Sequence, residues 1–270
     1  MAAEWRMFML SYVFMALSAL GSILLVFGTS IHWLWLLPIG VGMYVALNAL
    51  FFCALWFSTI FLPKKDPIDK PRNYFGIIQF VCDWAMTALR VKINFRGMEK
   101  FPDEPFVLVS NHVSNFDPVV VLAKIKKRKI AFISKPSNFK IPVAGPYTHN
   151  VGFLAIDREN AMRAMRTIKR AAELVVSEQM IMGIYPEGTR SKTGELLEFK
   201  EGAFLLAKRA KAPVVVITTK GTNKIGKRMI WKSTKVDLDV IEVIDKETVQ
   251  SLKLNELSAH VRESIANALQ

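Results

Sequence analysis

Residues 7–63 contain no Asp, Glu, Lys or Arg. A soluble core has no need of 57 consecutive uncharged residues, and a bilayer demands such a stretch. Residues 7–27, MFMLSYVFMALSALGSILLVF, are apolar or small throughout. As a helix at about 1.5 Å per residue they span roughly 31 Å, close to the ~30 Å hydrocarbon core. GTSIH (28–32) breaks the run, and residues 33–62 form a second apolar segment with Pro38 near its start. The second helix is therefore expected to begin near Pro38 and to end near Leu62. A cleaved signal peptide is the alternative for the first segment, but the stretch is too long and a second one follows directly. The preferred reading is a two-helix transmembrane hairpin over 1–63. Arg6 flanks its near end and Lys64, Lys65, Lys70 and Arg72 its far end, while the turn carries no lysine or arginine. The positive-inside rule then places both ends, and the domain that follows, on the cytoplasmic face.

The first 63 residues hold one acid and one base, Glu4 and Arg6, so residues 64–270 carry the whole net charge of +13. A domain this basic favours anionic partners, and the tether makes a phospholipid surface the first of them. Nucleic acid is disfavoured, because the chain shows no motif for it. The two cysteines, Cys53 and Cys82, have no metal-site or disulfide spacing, which suits a reducing compartment.

KKDPIDKPRN (64–73) is a linker. Residues 73–91 place Phe75, Ile78, Val81, Cys82, Ala85, Met86 and Leu89 at helical spacing. That helix either packs on the domain or lies at the membrane interface with Tyr74 and Trp84 at headgroup level. From about residue 92, strand and helix patterns alternate. Strands are predicted in VKINFRG, PFVLVS, IAFIS, VGFLAID (151–157), MIMGIYP, PVVVITT, RMIWKST (228–234) and VDLDVIEVI. Helices are predicted over 117–126, 159–179, 199–210 and 246–269. This alternation predicts an α/β fold with a mixed, largely parallel sheet flanked by helices. The division is a hairpin (1–63), a linker and amphipathic helix (64–91), and an α/β domain (92–270).

SNHVSNFDP (110–118) follows a predicted strand. Its plainest account is a helix start, with Asp117 capping and Pro118 in the first turn. The alternative pairs His112 with Asp117: a neutral imidazole takes a proton from a hydroxyl while the carboxylate holds its tautomer. Position favours the pair. His112, Lys135, Arg158 and Glu187 all follow predicted strands, and open α/β sheets bind ligands beyond their strand carboxyl ends. No G-x-S-x-G elbow occurs, although Ser114 is a conceivable nucleophile. In YPEGTRSKTG (185–194), Arg190 suits bidentate phosphate recognition, Glu187 can accept from a substrate hydroxyl or hold an arginine, and Gly188 lets a ligand approach the backbone. With Lys135 in FISK and Arg158 in the DR pair, three cations would form an anion pocket. Taken singly, each is an ordinary surface charge.

N-H-x4-D at 111–117 followed by PEGTR at 186–190, with FISK (132–135), GFLAIDR (152–158) and APVVVITTKGT (212–222) in that order, resembles the 1-acylglycerol-3-phosphate acyltransferase family over residues 90–225. The resemblance implies a glycerolipid acyltransferase-like fold. It also implies transfer of an acyl group from acyl-CoA or acyl-carrier protein to the 2-hydroxyl of lysophosphatidate, giving phosphatidate. His112 would be the general base and Asp117 its orienting partner. Lys135, Arg158 and Arg190 would bind the acceptor phosphate, and Glu187, Gly188 and Thr189 would shape that pocket. No cofactor or metal is implied, since the thioester is already activated. The sequence departs from the family's A-P-x-x-P-V block in one place: Val216 stands where the second proline would fall.

KIKKRK (124–129) and Arg163, Arg166 and Arg170 are candidates for anionic lipid or an acidic carrier protein, against plain solvated charge. His32 and His149 have no assigned role. The rival functions are an acyltransferase using glycerol-3-phosphate or another lysophospholipid, a non-catalytic membrane lipid-binding protein, and a hydrolase acting through Ser114.

Overall fold

The computed structural model describes residues 2–29, 31–63, 71–126 and 128–270, with side chains from residue 12 onward. Lys64, Lys65, Lys70 and Lys127, and the side chain of Arg6, lie outside the described residues, and with them much of the charge asymmetry behind the topology expectation. The chain divides into two compact units, Met1–Pro63 and Lys64–Gln270.

In the first unit, α1 (Ala2–Gly28) and α2 (Leu36–Ser58) pack antiparallel. The Phe14 ring meets Phe51 edge-on at 6.2 Å, and a Cβ at Gly40 would stand 3.3 Å from Ser22 Oγ. The helical run Trp33–Phe61 is long and apolar enough to cross a membrane; Tyr12–Gly28 is a shorter apolar helix. This run starts at Trp33, ahead of the expected Pro38, because the His32 ring accepts the Leu34 N–H and caps a short 3-10 turn.

The second unit begins with α3 (Phe75–Ala88), β1 (Val91–Arg96), β2 (Val107–Ser110), α4 (Asp117–Lys124), β3 (Ile130–Ser134), α5 (Ala144–Asn150) and β4 (Leu154–Ala155). It continues with α6 (Ala161–Ser177), β5 (Ile181–Ile184), α7 (Leu205–Ala210), β6 (Val214–Lys220), α8 (Ile225–Arg228), β7 (Thr234–Ile244), α9 (Lys246–Ser251) and α10 (Leu254–Leu269). The sheet order is β1-β7-β6-β2-β5-β3-β4. The strands from β6 to β4 in that order are mutually parallel, β7 is antiparallel to β6, and β1 is parallel to β7. The mixed, largely parallel sheet expected from the sequence is thus present.

Apolar pattern explains the layering. β2 and β5 are buried at every position, as strands covered on both faces must be, whereas outer β1 alternates. Helices flank the sheet in two groups, α3 with α4 and α5, and α6 with α7 and α9, while α10 packs on β6 and β7. Leu257, Val261 and Ile265 of α10 are fully buried at four-residue spacing, each contributing about 1.5–3 kcal/mol by removal from water. α3 buries Phe75, Ile78, Cys82 and Met86, and Gln79 Nε2 donates to the Ile125 carbonyl at 2.9 Å. One face of this helix therefore packs on the domain. Tyr74 rests edge-on against Tyr147.

Three segments differ from their sequence expectation, and a fourth carried none. Residues 228–233 are not a strand, and only Thr234 of the expected segment joins β7: α8 ends at Arg228 and Met229 takes a φ of 45°, which turns the chain outward. The C-terminal helix is broken, because Leu252 is extended and the Glu256 carboxylate accepts the Lys253 N–H, starting α10 afresh. The strand expected over 151–157 shrinks to Leu154–Ala155, since its neighbour β3 stops ahead of Pro136. Residues 136–150 are largely helical, in a short 3-10 turn and α5. Val216 is fully buried between Val109 of β2 and Glu242 of β7, with a register shift directly after it. A proline there would remove a donor from a central strand.

Candidate active site

β2 delivers the chain to the carboxyl edge of the sheet, and the loop 111–116 turns there into α4. Asn111 anchors the turn: its side-chain amide donates to the Thr219 carbonyl at 3.0 Å and accepts the Thr219 N–H at 2.8 Å. Pro118 occupies the first helical turn, but Asp117 does not cap the helix. Its carboxylate points back into the loop. Oδ2 accepts the Val113 and Ser114 N–H groups, each at 2.8 Å, and lies 2.7 Å from His112 Nδ1. Oδ1 accepts the Thr222 hydroxyl. Asp117 is fully buried. A carboxylate with this donor set requires the proton on Nδ1, which leaves Nε2 as the lone-pair nitrogen. Nε2 has no hydrogen-bond partner among the described residues, and the His112 side chain is 15% exposed, enough for a substrate atom to reach it.

Glu187, after β5, is tied to two backbone groups. One oxygen accepts the His112 N–H at 2.6 Å and the other the Leu197 N–H at 3.0 Å. The Ser191 N–H donates to the His112 carbonyl at 2.8 Å. The PEGTR turn is therefore laced to the histidine loop through backbone groups. Burial pushes the Glu187 carboxyl up, with the two backbone donors opposing it. Gly188 has a φ of +68°, and a Cβ there would sit 3.0 Å from Lys200 Cε. Lys200 is thus a fourth cation beside the turn, and nothing in the sequence pattern singled it out.

Aromatic packing fixes the imidazole plane. Tyr185 stacks on His112 at 4.2 Å and 17°, and Phe132 stacks on Tyr185 at 5.6 Å. Gly183 leaves room for Phe132, whose ring atoms would lie 2.2 Å from a Cβ there. The Tyr185 hydroxyl is buried without a partner among the described residues, and burial, followed by the charge of Asp117, raises its pKa. Ser114 is not bonded to His112; its hydroxyl accepts the Phe116 N–H at 3.2 Å, as a turn serine does.

The cations stand farther along the same edge. β3 and β4 pair at Ser134 and Ala155, so Lys135 and Arg158 leave adjacent strand ends. β5 lies between β2 and β3, so Arg190 rises between them and His112. Lys135, Thr189, Arg190 and Arg158 are all exposed. Partial desolvation lowers the Arg158 pKa. Arg163 pairs with Asp157 at 3.4 Å and Arg170 with Glu173 at 3.1 Å, so both are engaged locally. Thr222, which completes the Asp117 shell, lies inside the quoted APVVVITTKGT block; Tyr185 gave no signal beyond its place beside PEGTR.

A histidine held by a donor-saturated aspartate at the carboxyl edge of a mixed sheet has the geometry a general base needs. Residues 92–220 match the model of the Acyltransferase family. Among curated relatives it is 40% identical to the chloroplastic 1-acyl-sn-glycerol-3-phosphate acyltransferase BAT2 of Brassica napus over 146 residues, 53% of this chain and 42% of that protein. It is 28% identical to the 1-acyl-sn-glycerol-3-phosphate acyltransferase of Saccharomyces cerevisiae over 189 residues, 68% of this chain and 61% of that one. Thus the chain spans about half the length of the curated relatives it matches. The crystal structure of the 1-acyl-sn-glycerophosphate (LPA) acyltransferase PlsC from Thermotoga maritima superposes with a TM-score of 0.63 at 26% identity, over 82% of this chain and 87% of that one.

Proposed function

We propose that this protein transfers an acyl chain from acyl-CoA or acyl-carrier protein to the 2-hydroxyl of 1-acylglycerol-3-phosphate, giving phosphatidate. The observation that carries this reading is the Asp117 hydrogen-bond set, which leaves His112 Nε2 open on the strand edge that also carries the cations. In the proposed step, Nε2 takes the proton of the 2-hydroxyl as its oxygen bonds to the thioester carbonyl carbon. The tetrahedral intermediate collapses, the C–S bond breaks, and the imidazolium returns the proton to the leaving thiolate. Asp117 stabilises the imidazolium between these events. Lys135, Arg158 and Arg190 hold the acceptor phosphate, with Gly188 and Thr189 forming the turn beside it. The residues needed for this cycle include no metal and no cofactor. The relatives' printed names support the acceptor, the apolar helices support a membrane hairpin, and the basic residues flanking that hairpin in the sequence support a cytoplasmic face for the catalytic domain.

The test is acyl transfer by the full chain in detergent, offering each thioester with lysophosphatidate, glycerol-3-phosphate or lysophosphatidylcholine. Phosphatidate from lysophosphatidate, abolished by His112→Ala, is the expected result. Preference for another acceptor would change the substrate and keep the mechanism. No transfer to any acceptor by the folded protein would favour a lipid-binding role.

A further inference from the structure

The connection from β6 to β7 does more than supply Thr222. Where the sequence suggested a strand, Met229, Ile230 and Trp231 project from the end of α8 and are 45%, 53% and 81% exposed. Trp231 is the most exposed large apolar side chain among the described residues, more so than any on the two N-terminal apolar helices. Its backbone is held in place: Arg90 Nη1 lies 3.3 Å from the Ile230 carbonyl and 3.5 Å from that of Trp231.

The charge around this tip is one-sided. No acidic residue occurs between Gly221 and Val236. Lys227, Lys232 and Lys235 come from this connection, and Arg90 and Lys92 from the start of β1; all five are exposed. Along the β1–β7 ladder, Asn94 bonds Asp237 and Arg96 bonds Asp239, but the charged pair nearest the tip is Lys92 opposite Lys235. Like charges on neighbouring strands repel. Every other polar pair in this ladder is complementary, so the position nearest the tip is the one left for an anion from outside. The tip also lies on the working edge. β7 starts where β6 ends, and Gly226 of α8 faces Phe116, the residue before Asp117.

We propose that Met229–Ile230–Trp231 is a membrane-docking tip that enters the headgroup layer of an anionic bilayer, with Arg90, Lys92, Lys227, Lys232 and Lys235 holding lipid phosphates around it. A tryptophan ring suits the boundary between headgroups and acyl chains, and clustered lysines suit an anionic leaflet. The tip brings the strand edge bearing His112 to the surface where a lipid acceptor lies. Only this last point rests on the acyltransferase reading.

The test uses the full chain in lipid nanodiscs, with Cys53→Ala and an environment-sensitive fluorophore on Ile230→Cys, which leaves Trp231 in place. Cys82 is buried and its thiol is pushed up to about 12, so it does not compete for the label. In phosphatidylglycerol-containing discs, the probe should be blue-shifted and quenched by lipid-borne spin labels several-fold more than the same probe on Glu247→Cys, a surface position on α9. Adding Trp231→Ser should remove most of that quenching. A probe at 230 as solvent-exposed as at 247 would overturn the proposal. So would a probe shielded equally with and without anionic lipid and untouched by the quencher, which would mean a protein contact. A second arm compares acyl transfer by Trp231→Ser. The rate on lysophosphatidate in anionic vesicles should fall about five-fold, with that on a soluble short-chain acceptor unchanged; equal losses in both would overturn the kinetic role. If the wild type transfers no acyl group, the acyltransferase reading fails, and the quenching arm still decides docking.

Discussion

Two histidines of this domain meet a carboxylate at the same distance. His112 Nδ1 and Asp117 Oδ2 are 2.7 Å apart, as are His260 Nε2 and Glu242 Oε1. The pairs differ in everything else. Asp117 is fully buried and takes four donors, one from each of Val113, Ser114, Thr222 and the imidazole. Glu242 is partly exposed and has one further partner, the Ser264 hydroxyl, while the His260 side chain is 49% exposed. The surface pair is worth at most about 1 kcal/mol and is free to open. The buried pair cannot open without stranding several donors. What sets the two pairs apart is therefore the shell that fixes the carboxylate, and the distance alone says little.

The largest break between the two pairs should come from deleting each histidine. His112→Ala should lower the acyl-transfer rate roughly 10²–10⁴-fold, the usual range for losing a general base. His260→Ala should leave the rate within about two-fold, as surface changes ordinarily do. A loss at His260 comparable to that at His112 would remove the distinction. Next come the carboxylates. Asp117→Asn keeps a hydrogen-bonding side chain but no longer enforces the Nδ1 proton, and should cost roughly 10²-fold or more. Glu242→Gln should cost nothing measurable in the same assay.

The fold was legible where apolar pattern sets it. The buried runs of β2, β5 and β6 each have one solution, so strand order aside, the α/β architecture followed from period and position, while the stripe of α3 fixed a helix and left open whether it packs on the domain or lies at the membrane. The outward turn at 228–233 was not legible, because the short apolar run Met229–Trp231 reads as a strand and only the φ of Met229 turns the chain out. At the site, His112 and Asp117 stood out by spacing. Glu187 was legible as important and not in what it does, since its partners are backbone N–H groups contributed by residues 75 positions earlier and 10 later. Thr222 lay inside the APVVVITTKGT block without its role being readable, and Lys200 reaches the PEGTR turn with no local pattern to mark it.

The cations test the exposed half of the site. Replacing Arg190, Arg158 or Lys135 by Ala should raise KM for lysophosphatidate about ten-fold or more each, as loss of a hydrogen bond to a charged group does. Because these side chains are exposed, the melting temperature should not move. A drop in kcat with KM unchanged would reassign the residue from binding to the transition state.

The smallest effect expected, and the one that best separates tying from catalysis, concerns Glu187. Its carboxyl is pushed up by burial. A folded-state pKa above the unfolded value means that its contribution to stability is full below the unfolded pKa and is lost as pH rises through the folded one. Glu187→Gln removes that titration and also one of two acceptors, stranding the N–H of His112 or Leu197 at a cost of about 1–3 kcal/mol. The variant should therefore melt below the wild type at acidic pH, and the gap should narrow as pH rises through the carboxylate range toward neutrality. A gap that widens over the same interval would mean the carboxylate is favoured in the fold, and that the two backbone donors outweigh burial. The rate should fall only as far as the loosened His112 loop dictates, with no change in the pH profile of kcat. A shift of that profile would move Glu187 from holding the histidine to sharing its proton.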